Sequence, residues 1–325
     1  MFDIVGLMAL VLLSVLCGWL AMRARLAKNA VVKWAGGGLS GLLTVASTAA
    51  IIVALVGMYR LNVAPYHYPA VDVKVAGTPE QLARGERLSR LYCPFCHSPT
   101  GEVPLVGQNF GKGGPPIGTL YAPNLTRAGE IRDWSDGEVI RGIREGVHKS
   151  GRPLIIMPSE VFRSLSDSDV QALVAYLRTQ PPVEPNTPPT RLNVIAALLV
   201  GAGMFRTSAQ VPITQSIVAP TQGVSAEYGK YLVSILGCSL CHGANLAGRP
   251  SGGHGPPAGP NLTVIVPAWN EAGFVTTLRT GIDPSGRTLN EAMPWKYISS
   301  FASDSDLKAI YAYLHDLPPS VGSEK

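Results

Sequence analysis

The chain has 325 residues, of which 46% are apolar and 15% are charged, and it contains 35 glycines and 27 prolines. This composition excludes a purely water-soluble chain and predicts membrane-spanning segments together with much irregular structure. The net charge of +5 is not organised into a basic stripe with interleaved aromatic residues, which argues against a nucleic-acid-binding protein.

Two uncharged segments near the N-terminus, residues 4–22 and 34–59, are each long enough to cross about 30 Å of hydrocarbon. The loop between them carries four positive residues and no acidic ones, and cytoplasmic loops are enriched in Lys and Arg. We therefore predict two membrane-spanning helices in a bacterial inner membrane, with everything after Arg60 on the periplasmic side. A cleaved signal peptide is the alternative for the first segment, although Met-Phe-Asp is not the positive start that such a peptide has.

The rest of the chain contains an internal repeat. Both copies have, in the same order, Pro-Asn-Leu-Thr, Trp, Ser-Gly-Arg, Met-Pro, Ser-Asp-Ser-Asp, Ala-Tyr-Leu and Pro-Pro. N-cap serines, helical periodicity and terminating prolines predict a few short helices joined by Gly/Pro loops in each copy. The fold class is therefore all-α, with two tandem domains after the anchor. The predicted ranges are 1–60 for the two-helix membrane anchor, 61–78 for a linker, 79–183 for domain 1, 184–223 for a Pro-rich and partly apolar linker, 224–318 for domain 2 and 319–325 for a tail.

Each copy contains a Cys-x-x-Cys-His motif, which reads CPFCH at residues 93–97 and CSLCH at residues 238–242. This is the attachment sequence of a c-type haem. The two thiols add to the two vinyl groups of the haem, and the adjacent histidine is placed under the iron as an axial ligand. We predict two covalently bound haem c groups, held by Cys93, Cys96 and His97 and by Cys238, Cys241 and His242.

Three alternative roles for paired cysteines fit the sequence less well. A zinc site needs four ligands, and neither copy has a further cysteine. A thioredoxin-like redox pair needs a βαβ context, whereas the copies are predicted to be helical. A disulfide across so short a loop is strained.

Methionine is the expected second axial ligand, because electron-transfer cytochromes commonly hold iron between His and Met. Met157 and Met293 occupy matching positions in the two copies, each followed by proline, and the other methionines lie outside the repeats. His254, in a Gly-rich loop of the second copy, is the one rival to Met293. His148 and His315 have no histidine at the equivalent position and are predicted to lie at the surface.

Two further features are less sharply defined by the sequence. A backbone carbonyl near Pro115/Pro116 or Pro256/Pro257 is expected to accept the proton of the axial imidazole. The apolar stretch at residues 192–205 is too short to span a bilayer. It fits a helix lying on the membrane surface, a buried connector, or a docking surface for a partner subunit.

These motifs resemble those of the class I cytochrome c superfamily. The resemblance is carried by CPFCH with IMP around Met157 and by CSLCH with AMP around Met293. The resemblance implies that the helices of Gly85 and Gly229 cross those of Tyr176 and Tyr313. The pattern from YAPNLT to RTQPP in the first copy is similar to the cytochrome subunits of membrane-bound alcohol and gluconate dehydrogenases, and this similarity covers roughly residues 79–318. Those subunits carry three haems and a different membrane attachment. Two haems behind an N-terminal span also resemble dihaem cytochromes of bc-type and cbb3-type complexes.

The leading interpretation is electron transfer rather than catalysis by this chain, because His and Met on both irons leave no position for a substrate. A fixed subunit of a respiratory or photosynthetic complex is favoured, beside a cytochrome b, an iron–sulfur protein or an oxidase, and passing electrons to a soluble carrier. The alternatives are the electron outlet of a periplasmic dehydrogenase, a free tethered shuttle, a dihaem peroxidase and a structural subunit. The lipid bilayer is a partner in each case, and nucleic acid in none.

Overall fold

The computed structural model describes residues 4–63, 69–110, 116–249 and 258–320, and most of these residues are helical. The prediction of a helical chain is thereby confirmed. In the described part, the strands are only two residues long and form two antiparallel pairs, β1 (Gln108–Asn109) with β3 (Tyr121–Ala122) and β2 (Gly118–Thr119) with β4 (Arg191–Leu192).

The helices follow one another in the order of the sequence motifs. They are α1 (Val5–Arg25), α2 (Gly37–Asn62), α3 (Pro79–Tyr92), α4 (Pro94–His97), α5 (Asp136–Glu145), α6 (Ser159–Phe162), α7 (Asp167–Thr179), α8 (Val194–Gly201), α9 (Ala226–Ile235), α10 (Cys238–His242), α11 (Leu262–Ile265), α12 (Glu271–Thr280), α13 (Trp295–Phe301) and α14 (Asp304–His315). A π-helical turn, Val32–Gly36, leads into α2, and a 3-10 turn, Glu130–Asp133, precedes α5.

Helices α1 and α2 form an apolar hairpin. Both are long and apolar enough to cross a bilayer. They pack on each other through small side chains, with Ser14 Oγ 2.9 Å from Thr48 Oγ1. Their large apolar side chains point outward, Leu12 being 67% and Leu42 71% exposed. Such a surface is stable in contact with lipid and unfavourable in water, which supports the predicted membrane anchor.

The apolar stretch at residues 192–205 includes α8, in which Ala196, Ala197 and Val200 are buried, while Ile195 before them and Met204 after the helix are exposed. Asn193 caps α8 by accepting from the amides of Ile195 and Ala196. Helix α8 then packs against the C-terminal half of α2 so closely that the backbones touch at Gly57 and Gly201. In addition, Arg60 of α2 donates to the carbonyl oxygen of Val200 over 3.2 Å. Part of the apolar surface of this stretch is therefore used within the chain, and the choice among the three interpretations stays a prediction.

Both repeats are built around the same helix crossing. In the first, Gly85 of α3 lies against the backbone of Ala172 in α7, and a side chain at this glycine would meet Tyr176 Cβ at 2.8 Å. In the second, Gly229 of α9 lies against α14 in the same way, 3.0 Å from Tyr313 Cβ by the same measure. The crossings that the family resemblance implied are therefore present.

Local sequence signals set the ends of these helices. The hydroxyls of Ser135, Ser166, Ser225 and Ser303 accept the amide three residues ahead and so cap the first turns of α5, α7, α9 and α14. Proline pairs follow α7 and α14, and neither helix extends into them.

The linkers are packed against the chain. Before α3, the amide of Val75 donates to Asp136 over 2.9 Å. In the linker after α7, the Ile217 carbonyl accepts from the amide of Asp167 over 2.8 Å, and Ser216 Oγ donates to the Asp167 carboxylate over 2.6 Å. One apolar cluster contains buried residues of both repeats, so the division at 183 and 224 into two domains stays a prediction.

Candidate haem-attachment sites

The two cysteine motifs each lie on a short helix directly after a longer one. In the first copy, α3 runs into α4 with Cys93 as the N-cap, and the amide of His97 donates to the Cys93 carbonyl over 2.8 Å. In the second copy, Gly237 separates α9 from α10 with a φ of +67°. Glycine adopts this left-handed conformation without strain. The second copy has one residue more than the first between the glycine of its helix crossing and its first cysteine, and the turn at Gly237 accommodates that residue. In both copies the two cysteines and the histidine occupy about one helical turn.

The motif histidines are oriented identically in the two copies. His97 Nδ1 lies 2.8 Å from the carbonyl oxygen of Pro123, and His242 Nδ1 lies 2.8 Å from that of Pro260. A carbonyl only accepts, so each Nδ1 carries the proton and each Nε2 is the nitrogen available to a metal. Burial lowers the pKa of both imidazoles below the ordinary value, which favours the neutral, ligating form.

The accepting carbonyls differ from those expected from the sequence. They belong to the proline of Pro-Asn-Leu-Thr, which is repeated in both copies and could have been chosen on that ground. Pro115, Pro256 and Pro257 lie outside the described residues, as does His254. The carbonyl of Pro116 accepts instead from the side chain of Asn193 over 2.8 Å.

None of the four motif cysteines is paired in a disulfide. Burial raises the pKa of Cys93 to about 12 and that of Cys238 to about 12, so both are protonated at neutral pH. A thioether carries no ionisable proton, and therefore joining these sulfurs to a haem is compatible with their burial. Two thiols and one neutral imidazole on a single turn fit a covalently held haem c. In the described part of the chain, no three His, Cys, Asp or Glu side chains are grouped to hold a metal ion.

The two Met-Pro segments also have the same local structure. Met157 and Met293 are partly buried and pack against the shared apolar cluster. Each methionine carbonyl accepts the amide two residues ahead over 2.8 Å, and each following proline is the N-cap of a short helix, α6 or α13. Their role as axial ligands stays a prediction.

Of the two histidines predicted to lie at the surface, one lies deeper than the sequence indicated. His148 is partly buried, with Nε2 2.8 Å from Glu130 Oε1 and its ring edge-on to Trp134 at 4.7 Å. The equivalent residue in the second copy, Asp283, is buried and pairs with Arg287. The sequence feature that could have indicated this burial is the Ser-Gly-Arg loop, which is closed by the same backbone hydrogen bond in both copies. His315 is exposed, as predicted.

Comparison with known proteins identifies the family. The model described as "Cytochrome C oxidase, cbb3-type, subunit III" matches residues 80–177 and again 225–314, which is more than half of the chain. The chain belongs to this cytochrome c family. The two matched ranges each contain one attachment motif and one Met-Pro segment, and the family implies covalently bound haem c.

Three named relatives of this chain are subunits of dehydrogenases. It is 30% identical over 310 residues to a subunit of the nicotinate dehydrogenase of Pseudomonas putida, covering 88% of the chain and 25% of that protein. It is 24% identical over 264 residues to the fructose dehydrogenase cytochrome subunit of Gluconobacter japonicus, covering 74% and 54%. It is 28% identical over 270 residues to the cytochrome c subunit of alcohol dehydrogenase (quinone) of Gluconacetobacter polyoxogenes, covering 73% and 56%. The chain thus spans from a quarter to just over half of the length of these relatives.

Proposed function

We propose that this chain is a membrane-anchored dihaem cytochrome c that carries electrons as a subunit of a larger redox complex. Residues 79–183 and 224–318 are the two haem-binding units. The observation that carries the proposal is the duplication of the whole site, in which each Cys-x-x-Cys-His turn has its imidazole held by the proline carbonyl of Pro-Asn-Leu-Thr.

The residues of each unit have distinct tasks. The cysteines hold the cofactor covalently, and the histidine presents Nε2 to the iron because its Nδ1 is held by a carbonyl. Met157 and Met293 would supply the second side-chain ligand of each iron. The haem iron supplies one-electron redox chemistry when bound, and a thioether ligand favours its reduced form. With an imidazole and a thioether as its protein ligands, each iron would be closed to substrates, which argues against a peroxidase.

The anchor determines where this transfer takes place. Residues 23–33, between the two uncharged segments, carry four positive side chains and no acidic one, which supports a cytoplasmic loop and haem units on the periplasmic side. Packing of α8 on α2 ties the first repeat to the membrane helix. Because this contact restricts movement of the first repeat relative to the membrane helix, it favours a fixed subunit over a mobile tethered shuttle.

The electron donor is either a dehydrogenase or an oxidase-linked quinol complex. The relatives' names favour a dehydrogenase, for which this chain would be the electron outlet. The matched family favours a partner in the respiratory chain.

Purification from the native membrane in mild detergent tests the proposal. Haem content per chain is measured by difference spectroscopy, and co-purifying subunits are identified by mass spectrometry. We expect two haems per chain together with a dehydrogenase subunit, while oxidase, cytochrome b or iron–sulfur subunits would place the chain in a respiratory complex. One haem or none contradicts the dihaem proposal, and isolation without any partner contradicts the fixed-subunit proposal.

A further inference from the structure

The two repeats meet along an interface in which equivalent positions make equivalent contacts. Asp169 in α7 accepts from Arg84 of its own repeat over 2.8 Å and from the Tyr231 hydroxyl of the other repeat over 2.6 Å. Asp306, its counterpart in α14, accepts from Arg87 of the first repeat over 3.3 Å. Since Arg87 in α3 and Tyr231 in α9 occupy matching positions, the interface has an approximate two-fold symmetry.

This arrangement brings together the C-terminal ends of α3 and α9, where the two attachment motifs begin. The hydroxyl of Tyr92 donates to the carbonyl oxygen of Ile235 over 2.5 Å. Tyr92 immediately precedes Cys93, and Ile235 lies three residues before Cys238. This hydrogen bond therefore joins the two segments that lead into the attachment motifs.

Close packing surrounds this bond. The ring of Tyr92 lies edge-on to Phe162 at 5.1 Å. Val161, the neighbour of Phe162 in α6, lies against Gly237, where an added Cβ would be 3.2 Å from its Cγ2. Helix α6 follows the Met157-Pro turn. Both the cysteine side and the methionine side of the first repeat thus touch the start of the second motif.

We propose that Tyr92 is the residue that couples the two haems electronically, through its hydrogen bond to Ile235. The inference rests on the proposed dihaem function. The step moves one electron from the reduced haem of one repeat to the oxidised haem of the other, with no proton transferred and no bond made or broken. Electron tunnelling decays less steeply along covalent and hydrogen bonds than across a gap of the same length.

Tyr92 acts here as a bridge and stays protonated. Burial raises the pKa of its hydroxyl well above the ordinary value, so the hydroxyl remains a donor. Because Tyr92 is part of the electron pathway and does not touch a substrate, its substitution should alter the rate of electron transfer between the haems and leave both reduction potentials unchanged.

The test uses the full chain in detergent, with two haems verified in each preparation. A photoreductant delivers less than one electron per molecule, and the redistribution between the haems is followed by absorbance. We expect Y92F to slow this redistribution several-fold. Potentiometric titration should give the same reduction potentials for Y92F as for the wild type. Hydrogen exchange of residues 236–241, which would change if the interface between the repeats moved, should also match the wild type.

Two tyrosines provide matched controls. Y231F removes a hydroxyl that crosses the same interface but ends on Asp169, and Y311F removes one that donates to the Trp269 carbonyl over 2.9 Å within the second repeat. Both should keep the wild-type rate. A wild-type rate in Y92F, or an equal loss in Y231F, overturns the proposal.

A second substitution covers the case in which Y92F does not retain both haems. Replacement of Tyr92 by 4-aminophenylalanine keeps the ring and places an N–H donor at the position of the hydroxyl. We expect a rate within twofold of the wild type, and a several-fold loss with unchanged potentials overturns the proposal. A wild-type chain without two haems would instead contradict the proposed function itself, whatever the variants do.

Discussion

Replacing Gly85 by alanine should weaken the crossing of α3 with α7 that supports the first attachment motif. The added Cβ would lie 2.6 Å from the carbonyl carbon of Ala172 and 2.8 Å from Tyr176 Cβ. Carbon atoms pack best at about 3.5–4.0 Å, so the two helices must separate by roughly 1 Å. Since the obstructing atoms belong to a helix backbone and a Cβ, they cannot rotate away.

The size of the effect follows from two opposing contributions. Overpacking of a close-packed core costs about 1–3 kcal/mol, and contact with backbone places this site at the upper end. Alanine in a helix is more stable than glycine by about 1 kcal/mol, which offsets part of the cost. We expect a net loss of about 2 kcal/mol. For a unit of 150–250 residues, this lowers the unfolding midpoint by about 4–8 °C.

Thermal unfolding of the purified chain, followed by circular dichroism, measures this loss. Gly41→Ala in α2 is the control, because in the described part of the chain its added Cβ meets nothing within 4 Å apart from its neighbours and its own helix backbone. Gly229→Ala is a replicate in the second repeat, where the Cβ would lie 2.5 Å from the carbonyl carbon of Ala309 and 3.0 Å from Tyr313 Cβ. A Gly85→Ala midpoint at or above that of Gly41→Ala would refute the crossing described here.

Three further substitutions test the attachment sites and their surroundings. Met157→Leu should lower the reduction potential of one haem only and open its iron to added carbon monoxide, whereas Met204→Leu, at a side chain 77% exposed, should change neither property. Gly259→Ala should disturb the second site alone, because its Cβ would lie 2.8 Å from Nδ1 of His242; a haem content of two with unchanged potentials would contradict this. The hydrogen bond from His148 lowers the pKa of Glu130 in the folded protein below its ordinary value of 4.5. The pair therefore stabilises the fold at pH values above 4.5, and this stabilisation is lost as the pH falls through the lower pKa of the folded protein. Melting curves at pH 3–7 should therefore show a smaller acid-induced decrease in Glu130→Gln than in the wild type, and equal decreases would exclude this pair.

Local features of the fold could be predicted because their causes are close in the sequence. The caps at Ser135 and Ser166 each need only a hydroxyl and an amide three residues ahead. The two attachment motifs follow from the spacing of two thiols and one imidazole. The Gly85 crossing was expected from the family resemblance rather than from periodicity. The match of the family model to both repeats confirms the cytochrome c prediction.

Contacts between distant segments could not be predicted in this way. The apolar residues of α8 contact α2, about 140 residues earlier in the chain, and hydropathy alone does not distinguish that partner from lipid or another subunit. The proline carbonyl that holds His97 is 26 residues away, and several nearby prolines were equally plausible acceptors. The Tyr92–Ile235 bond, which joins the repeats, has no counterpart in any sequence pattern.

The distant contacts restrict how the two haem units can work. The first repeat is held to the membrane helix by α8, and the second repeat is held to the first by two buried carboxylates, Asp169 and Asp306, with partners in both repeats. Separating the repeats would remove Arg87 from Asp306 and leave that buried charge poorly paired, which is costly, whereas Asp169 would keep its ion pair with Arg84. The units are therefore expected to stay together while electrons pass between them. Under the proposed function, a partner would then deliver and collect electrons at fixed positions, as a subunit of a stable complex does.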